Sequence, residues 1–91
     1  MNLINTLIYA ICMELQIQET DLWTSNREEC VDARCVLCTI LNEWGLTDTD
    51  ISRRFGLTRQ GVNKLRNGFY SRHRQKWNVR QAYREGKKIT A

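Results

Sequence analysis

Leu3, Ile4, Leu7, Ile8, Ile11 and Leu15 recur at three- and four-residue intervals, the period of one face of an α-helix. The pattern predicts an amphipathic helix over 2–16. From Gln16 to Thr24 the period fails, and the stretch reads as a connector with a short turn, anchored by Ile17, Leu22 and Trp23. Ser25 followed by Glu28 has the spacing of a capping box, in which a hydroxyl and a carboxylate satisfy free N–H groups at a helix start. It predicts a second helix through about Trp44. Val31, Cys35, Cys38 and Leu41, with Leu37, Ile40 and Trp44, give that helix the wide apolar face of a bundle's central element. Gly45 ends it.

Thr47 and Asp50 repeat the box spacing and open a short helix through Phe55. Gly56-Leu57 makes a tight turn. Thr58 caps the following helix, expected to run to about Arg66, and Asn67-Gly68 reads as a break. Residues 71–85 form the predicted last helix, with Trp77, Val79, Ala82 and Tyr83 partly buried. The tail GKKITA, residues 86–91, is expected to fray. Proline is absent from the 91 residues, which removes the strongest helix breaker. The chain therefore reads as one all-α domain over 1–91, a small bundle of five to six helices.

The stretch TDISRRFGLTRQGVNKL, residues 49–65, meets the physical requirements of a helix-turn-helix. Ile51 and Phe55 bury one face of the first helix, and Ser52 is small where the second helix crosses. Gly56 tolerates positive φ in the turn, Leu57 plugs it, and Val62 and Leu65 pin the second helix. With Val62, Leu65 and Phe69 inward, Gln60, Asn63, Lys64 and Asn67 point outward, and Arg59 and Arg66 flank them. Carboxamides and a lysine suit base edges; arginines beside them suit phosphates. Gln60, Asn63, Lys64 and Asn67 are thus the expected base contacts. Arg53, Arg54, Thr58, Arg59, Arg66 and Arg72 are the expected phosphate contacts. Gly61, costly inside a helix by about 1 kcal/mol relative to alanine, is explained either by close packing of the first helix or by backbone approach to a phosphate. Its angle on the flank favours packing.

Charge sharpens this picture. Residues 51–91 hold 12 Lys/Arg and one acid, Glu85, a net +11. Residues 1–50 hold 2 Arg and 9 Asp/Glu, a net −7, so the chain totals +4. A half this basic is the footprint of a polyanion partner.

Other chemistry is weaker. CVDARCVLC, with Cys30, Cys35 and Cys38, has an iron–sulfur-like spacing, but it lies in a helical pattern with no glycine, and Cys12 is upstream. Buried thiols fit it better, and no metal or other cofactor is expected. His73 is the only histidine, has no nucleophile at a recognisable spacing, and is expected on the surface or facing a phosphate. Asp48 and Asp50 sit where a helix N-terminus wants acids. No catalytic constellation emerges, so neither an enzyme nor a small-molecule substrate is expected. The apolar N-terminus lacks early positive charge, meets Glu14 and is too short for a membrane span of about 20 residues. The expected location is cytoplasmic, with reduced thiols.

Taken in order, Ile17 with Asp21-Leu22, Val31 with Leu41, Ile51 with Phe55-Gly56, Val62, Phe69, and Val79 with Tyr83 resemble the apolar anchors of a known family. It is the C-terminal DNA-binding domain of the bacterial chromosomal replication initiator DnaA, a helical domain of the Trp-repressor-like superfamily. The similarity covers nearly the whole chain and implies its fold and its binding to double-stranded DNA. The family's phosphate-contacting arginine in the central helix falls one position after Arg34 when Val31 and Leu41 hold the register, which implies that role for Arg34. Leu57-Thr58-Arg59-Gln60-Gly61 replaces the family's Arg-Asp-His-Thr-Thr run, one residue shorter, and Ser52 replaces a glycine. Recognition of the initiator's own site therefore lies outside what the resemblance implies. Nothing resembles a GxxxxGK[ST] nucleotide loop, so the domain suits an accessory replication or transcription-regulating protein of a mobile element. The competing reading is a protein-interaction module, in which the exposed part of the stripe Leu3 to Leu15 forms a homodimer or holds another protein and the basic half is a solvated face.

Overall fold

In the computed structural model, which describes residues 2–89, five α-helices carry the chain. They are α1 (Leu3–Leu15), α2 (Glu28–Glu43), α3 (Asp48–Phe55), α4 (Arg59–Gln75) and α5 (Trp77–Lys87), with one 3-10 turn at Glu19–Asp21 between α1 and α2. No strand occurs among the described residues, so the all-α expectation holds.

α1 starts where Asn2 caps it, its Oδ1 accepting from the Ile4 N–H at 2.8 Å. It stops because Gln16 takes a left-handed conformation (φ 56°, ψ 46°), a place glycine usually fills. α2 begins two residues later than the Ser25–Glu28 spacing predicts. Its N-cap is Arg27, which contributes no side-chain cap bond. Ser25 is held otherwise: its N–H donates to the Asp21 carbonyl, its carbonyl accepts from Arg34, and its hydroxyl accepts from the Arg27 N–H. The Thr47–Asp50 capping box forms as expected, with bonds of 3.0 and 3.1 Å. Gly56 ends α3 with φ 68°, ψ 32°.

The predicted break at Asn67-Gly68 does not occur; α4 runs unbroken to Gln75. Asn67 hydrogen-bonds its helical neighbour Asn63, and Gly68 does not take positive φ. Its bare Cα faces Cys35, whose Sγ a Cβ would meet at 3.9 Å. The chain turns instead at Lys76 (φ −121°, ψ 118°). Arg80 closes that corner, its Nη1 donating to the carbonyls of His73 and Arg74 at 3.0 and 2.9 Å. α5 then continues through Gly86 and Lys87, where fraying is expected from the sequence, and Gly86 is buried. Residues 90–91 of the expected frayed tail lie outside the described residues.

α2 is the hub. Ten of its sixteen residues are buried, and α1, α3, α4 and α5 all pack on it. α1 also lies along α5, where Gly86 leaves room for Leu7 and Ile40; a Cβ there would sit 2.6 Å from Ile40 Cδ1. The stripe on α1 is largely absorbed by this packing: Leu7, Ile11 and Leu15 are in the core, and Ile4 and Ile8 are half-buried against it. Cys12, Cys30, Cys35 and Cys38 are free thiols buried in the same core. Burial pushes the thiols of Cys12 and Cys35 up to about 11 and that of Cys38 up to about 12.

One carboxylate in the core meets two basic side chains. Asp32, 1% exposed, accepts from Arg72 Nη1 at 2.6 Å and from Lys76 Nζ at 3.1 Å. Glu28, one turn earlier, accepts from the same two cations. This cluster ties α2 to the corner between α4 and α5. No helix of the described residues is long and apolar enough to cross a membrane.

Candidate nucleic-acid interface

α3 and α4 are two helices joined through the turn at Gly56, the segment in which the sequence predicts a helix-turn-helix. Ile51 and Val62 are fully buried where the arms meet, Ser52 is buried between them, and Leu57 and Leu65 are half-buried against the core. Ring stacking of Trp23 on Phe55, centroids 4.8 Å apart, steadies the first arm from the α1–α2 connector. With α4 pinned on this side, its opposite face is set by helical geometry alone.

Gln60, Asn63, Lys64 and Asn67 all lie exposed on that outer face. Two of them are linked: Asn67 Nδ2 donates to Asn63 Oδ1 at 3.1 Å, and Asn63 Nδ2 donates to Asp48 Oδ2 at 3.3 Å. The Asn63 amide is therefore oriented before any ligand arrives. Gln60, Asn63, Arg59 and Asp48 line a shallow hollow of about 250 Å³ at the start of α4.

The seven expected phosphate contacts divide. Arg53, Arg54 and Arg59 are exposed and form no ion pair among the described residues, and Thr58 is exposed beside them. Arg34, Arg66 and Arg72 are engaged inside the fold. Arg34 donates from Nε to the Leu22 carbonyl at 2.6 Å and from Nη2 to the Ser25 carbonyl, closing the connector. Arg66 meets Asp48 with two prongs, Nε to Oδ1 at 2.7 Å and Nη2 to Oδ2 at 2.9 Å. Arg72 belongs to the Asp32 cluster. The bond from Arg66, then that from Asn63, holds the Asp48 carboxyl below its usual range.

Thr58 lies against Gly61, and no atom of α3 comes within 4 Å of where a Cβ on residue 61 would sit. The Thr58 Oγ1 accepts from the Gly61 N–H at 2.9 Å, capping α4. A Cβ on residue 61 would lie 2.9 Å from that same oxygen. A side chain at 61 would need that cap to shift slightly, as it does not have to for glycine.

Two side chains escaped the sequence pattern. Trp77, expected partly buried, is 66% exposed, and Tyr70 is 72% exposed. With Val79, Ala82 and Gly86 buried on one side of α5, Trp77 falls nearly opposite at about 100° per residue. That angle was available in the sequence. Tyr70 extends the outer face of α4 beyond the point where the helix was expected to stop. His73 is half-buried, its ring 5.2 Å from Phe69 and edge-on to Tyr83 at 5.6 Å.

No cluster of metal-ligating side chains occurs among the described residues. Compared with protein-family models, with curated proteins and with solved structures, the chain matches none.

Proposed function

We propose that this protein binds double-stranded DNA, with the first half of α4 in the major groove. The observation that carries the reading is the two-sided character of α4. Its inner side is locked by Val62 and Phe69 in the core, and its outer side presents Gln60, Asn63, Lys64 and Asn67 to solvent. Amide side chains pair bidentately with adenine N6 and N7, and lysine with guanine O6 and N7, both in the major groove. Arg53, Arg54 and Arg59, exposed and without a carboxylate partner among the described residues, would neutralise the backbone. The likeness of the apolar anchors to the replication initiator's DNA-binding domain supports the same reading.

A mobility shift on random duplex at two salt concentrations tests it. The three arginines make about three phosphate-neutralising cations, so log affinity falls against log salt with a slope of about −3. Absence of any duplex binding at about 50 mM salt sinks the reading and favours the protein-interaction module.

A further inference from the structure

A second basic surface lies away from the α3–α4 turn. An open groove of about 490 Å³ runs between the end of α4 and the outer side of α5, lined by His73, Trp77, Arg80, Tyr83, Arg84 and Lys87. Glu43 of α2 reaches its edge, where it accepts from Lys87 Nζ at 2.9 Å and from the Tyr83 hydroxyl at 2.7 Å, so Arg80 and Arg84 are the lining cations without a carboxylate partner among the described residues. Arg84 and Lys87 are exposed, and Arg74 stands exposed at the end of α4 beside them. Arg80 is fixed at the corner by its bonds to the His73 and Arg74 carbonyls, and only its Nη1 has a partner among the described residues. Trp77 sits at the first position of α5 with two-thirds of its surface in water. Nothing in the packing of the fold requires an indole there.

We infer that this groove binds an unpaired stretch of nucleic acid, with Trp77 stacking on a base and Arg80 and Arg84 following the backbone. An exposed tryptophan beside a line of cations is the combination that single strands select. Their phosphates need positive charge along a groove, and their unstacked bases offer free π-faces. A duplex backbone satisfies the cations but has no base face to give the indole. An acidic peptide likewise has no use for it. The site is independent of the duplex-reading face of α4 and shares no residue with it.

Binding of labelled oligothymidylate of about ten nucleotides, followed by fluorescence anisotropy at low salt, tests the inference. The wild-type chain binds it. Trp77→Ala weakens binding about tenfold or more, the loss expected for one base stacked on an aromatic ring, while Trp77→Phe restores most of it. Random-duplex affinity stays unchanged in both variants. Because Trp77 is exposed, both fold, which a thermal melt checks. Arg59→Ala does the reverse, weakening duplex binding only. Failure of wild-type duplex binding with retained, Trp77-dependent oligothymidylate binding would remove the duplex reading and leave this one standing. Three results overturn the inference: no oligothymidylate binding, binding indifferent to Trp77→Ala, or an equal loss on duplex and single strand. Competition by polyglutamate as strong as by oligothymidylate overturns it too and assigns the groove to an acidic peptide.

Discussion

Asp48 grips Arg66 across 18 positions of sequence, both guanidinium prongs within 2.9 Å of its carboxylate oxygens. The pair joins the first residue of α3 to the middle of α4, so it sets how the two arms of the motif sit on one another. The same carboxylate holds the Asn63 amide. An arginine that sequence places on the edge of a reading face is thereby part of the scaffold that aims it.

Arg66→Ala is therefore expected to lower stability by about 1–3 kcal/mol, the range for hydrogen bonds to charged groups, and to leave the salt slope of duplex binding unchanged. Arg59→Ala does the opposite: little change in the melt and a slope flatter by about one. Thermal melts and salt titrations of the two variants decide between the roles. A flattened slope for Arg66→Ala would return that residue to the DNA backbone.

Gln60→Ala and Asn63→Ala, at the centre of the outer face, should each relax preference at one base position of a selected site, at a cost of about 1–3 kcal/mol. Selection from a randomised duplex library reads this directly. If both variants select the wild-type site, α4 is rotated relative to the groove.

Asp32 is the most exacting ion in the molecule, because it is buried and has two cations. Asp32→Asn leaves Arg72 and Lys76 facing a neutral amide, and breaking a buried pair costs about 3–5 kcal/mol. That is a large share of the roughly 5–15 kcal/mol total of a small domain. Glu28→Gln removes an exposed carboxylate from the same cluster and should cost far less. Urea midpoints of the two variants test the contrast; equal shifts would mean the cluster does not depend on burial.

Two glycines of α4 separate packing from capping. Gly68→Ala adds a Cβ at an ordinary 3.9 Å from Cys35 Sγ and gains helix propensity, so it should stabilise by about 0.5–1 kcal/mol. Gly61→Ala gains the same propensity but crowds the Thr58 cap, worth about 0.5–2 kcal/mol. In a Thr58→Ala background that conflict disappears and Gly61→Ala should stabilise. A double-mutant cycle measures the coupling, and additivity would refute the account of Gly61.

Stability should also fall on both sides of neutrality. Buried Cys12, Cys35 and Cys38 rise from an ordinary 9.0 to about 11, 11 and 12, and Tyr83, part-buried and bonded to Glu43, rises from 10.0 to about 12. Groups with raised values in the fold stabilise it fully below their unfolded values and lose that contribution as pH climbs from about 9 to 12. Asp48, Asp50 and Glu28 are lowered from 3.8, 3.8 and 4.5, so their contribution is present above those values and fades below them. The melting temperature plotted against pH should show a plateau between these limits. A melting temperature still rising above pH 10 would contradict the burial of the thiols.

Local signals in the chain located the starts of α3 and α4, because each start depends on a cap within three residues of it, and the apolar stripe alone placed α1. The end of α1 carried no such signal, since Gln16 fills the left-handed position without being glycine. The corner at Lys76 was illegible for a different reason. It is fixed by Glu28 and Asp32, more than 40 residues upstream, whereas Asn67-Gly68 looks like a breaker and sits inside a helix held by Cys35 and Asn63. The outer face of α4 was legible from its inward residues. Which arginines remain free to meet a partner was not, because Asp48, Asp32 and the Ser25 carbonyl are brought to Arg66, Arg72 and Arg34 only by the tertiary fold.

The pairing of α1 with α5 has a consequence for how the protein is made. Leu7 and Ile11 of the first helix come against Gly86, near the end of the last. During synthesis, at roughly 5–20 residues per second, the apolar side of α1 leaves the ribosome several seconds before the helix that covers it. Until α5 emerges, α2 can shield only part of that surface, and the nascent chain is one that a chaperone for exposed apolar helices would hold. Completion of the core is then a late, single event, and truncations that remove α5 should yield chains that aggregate instead of shorter folded domains.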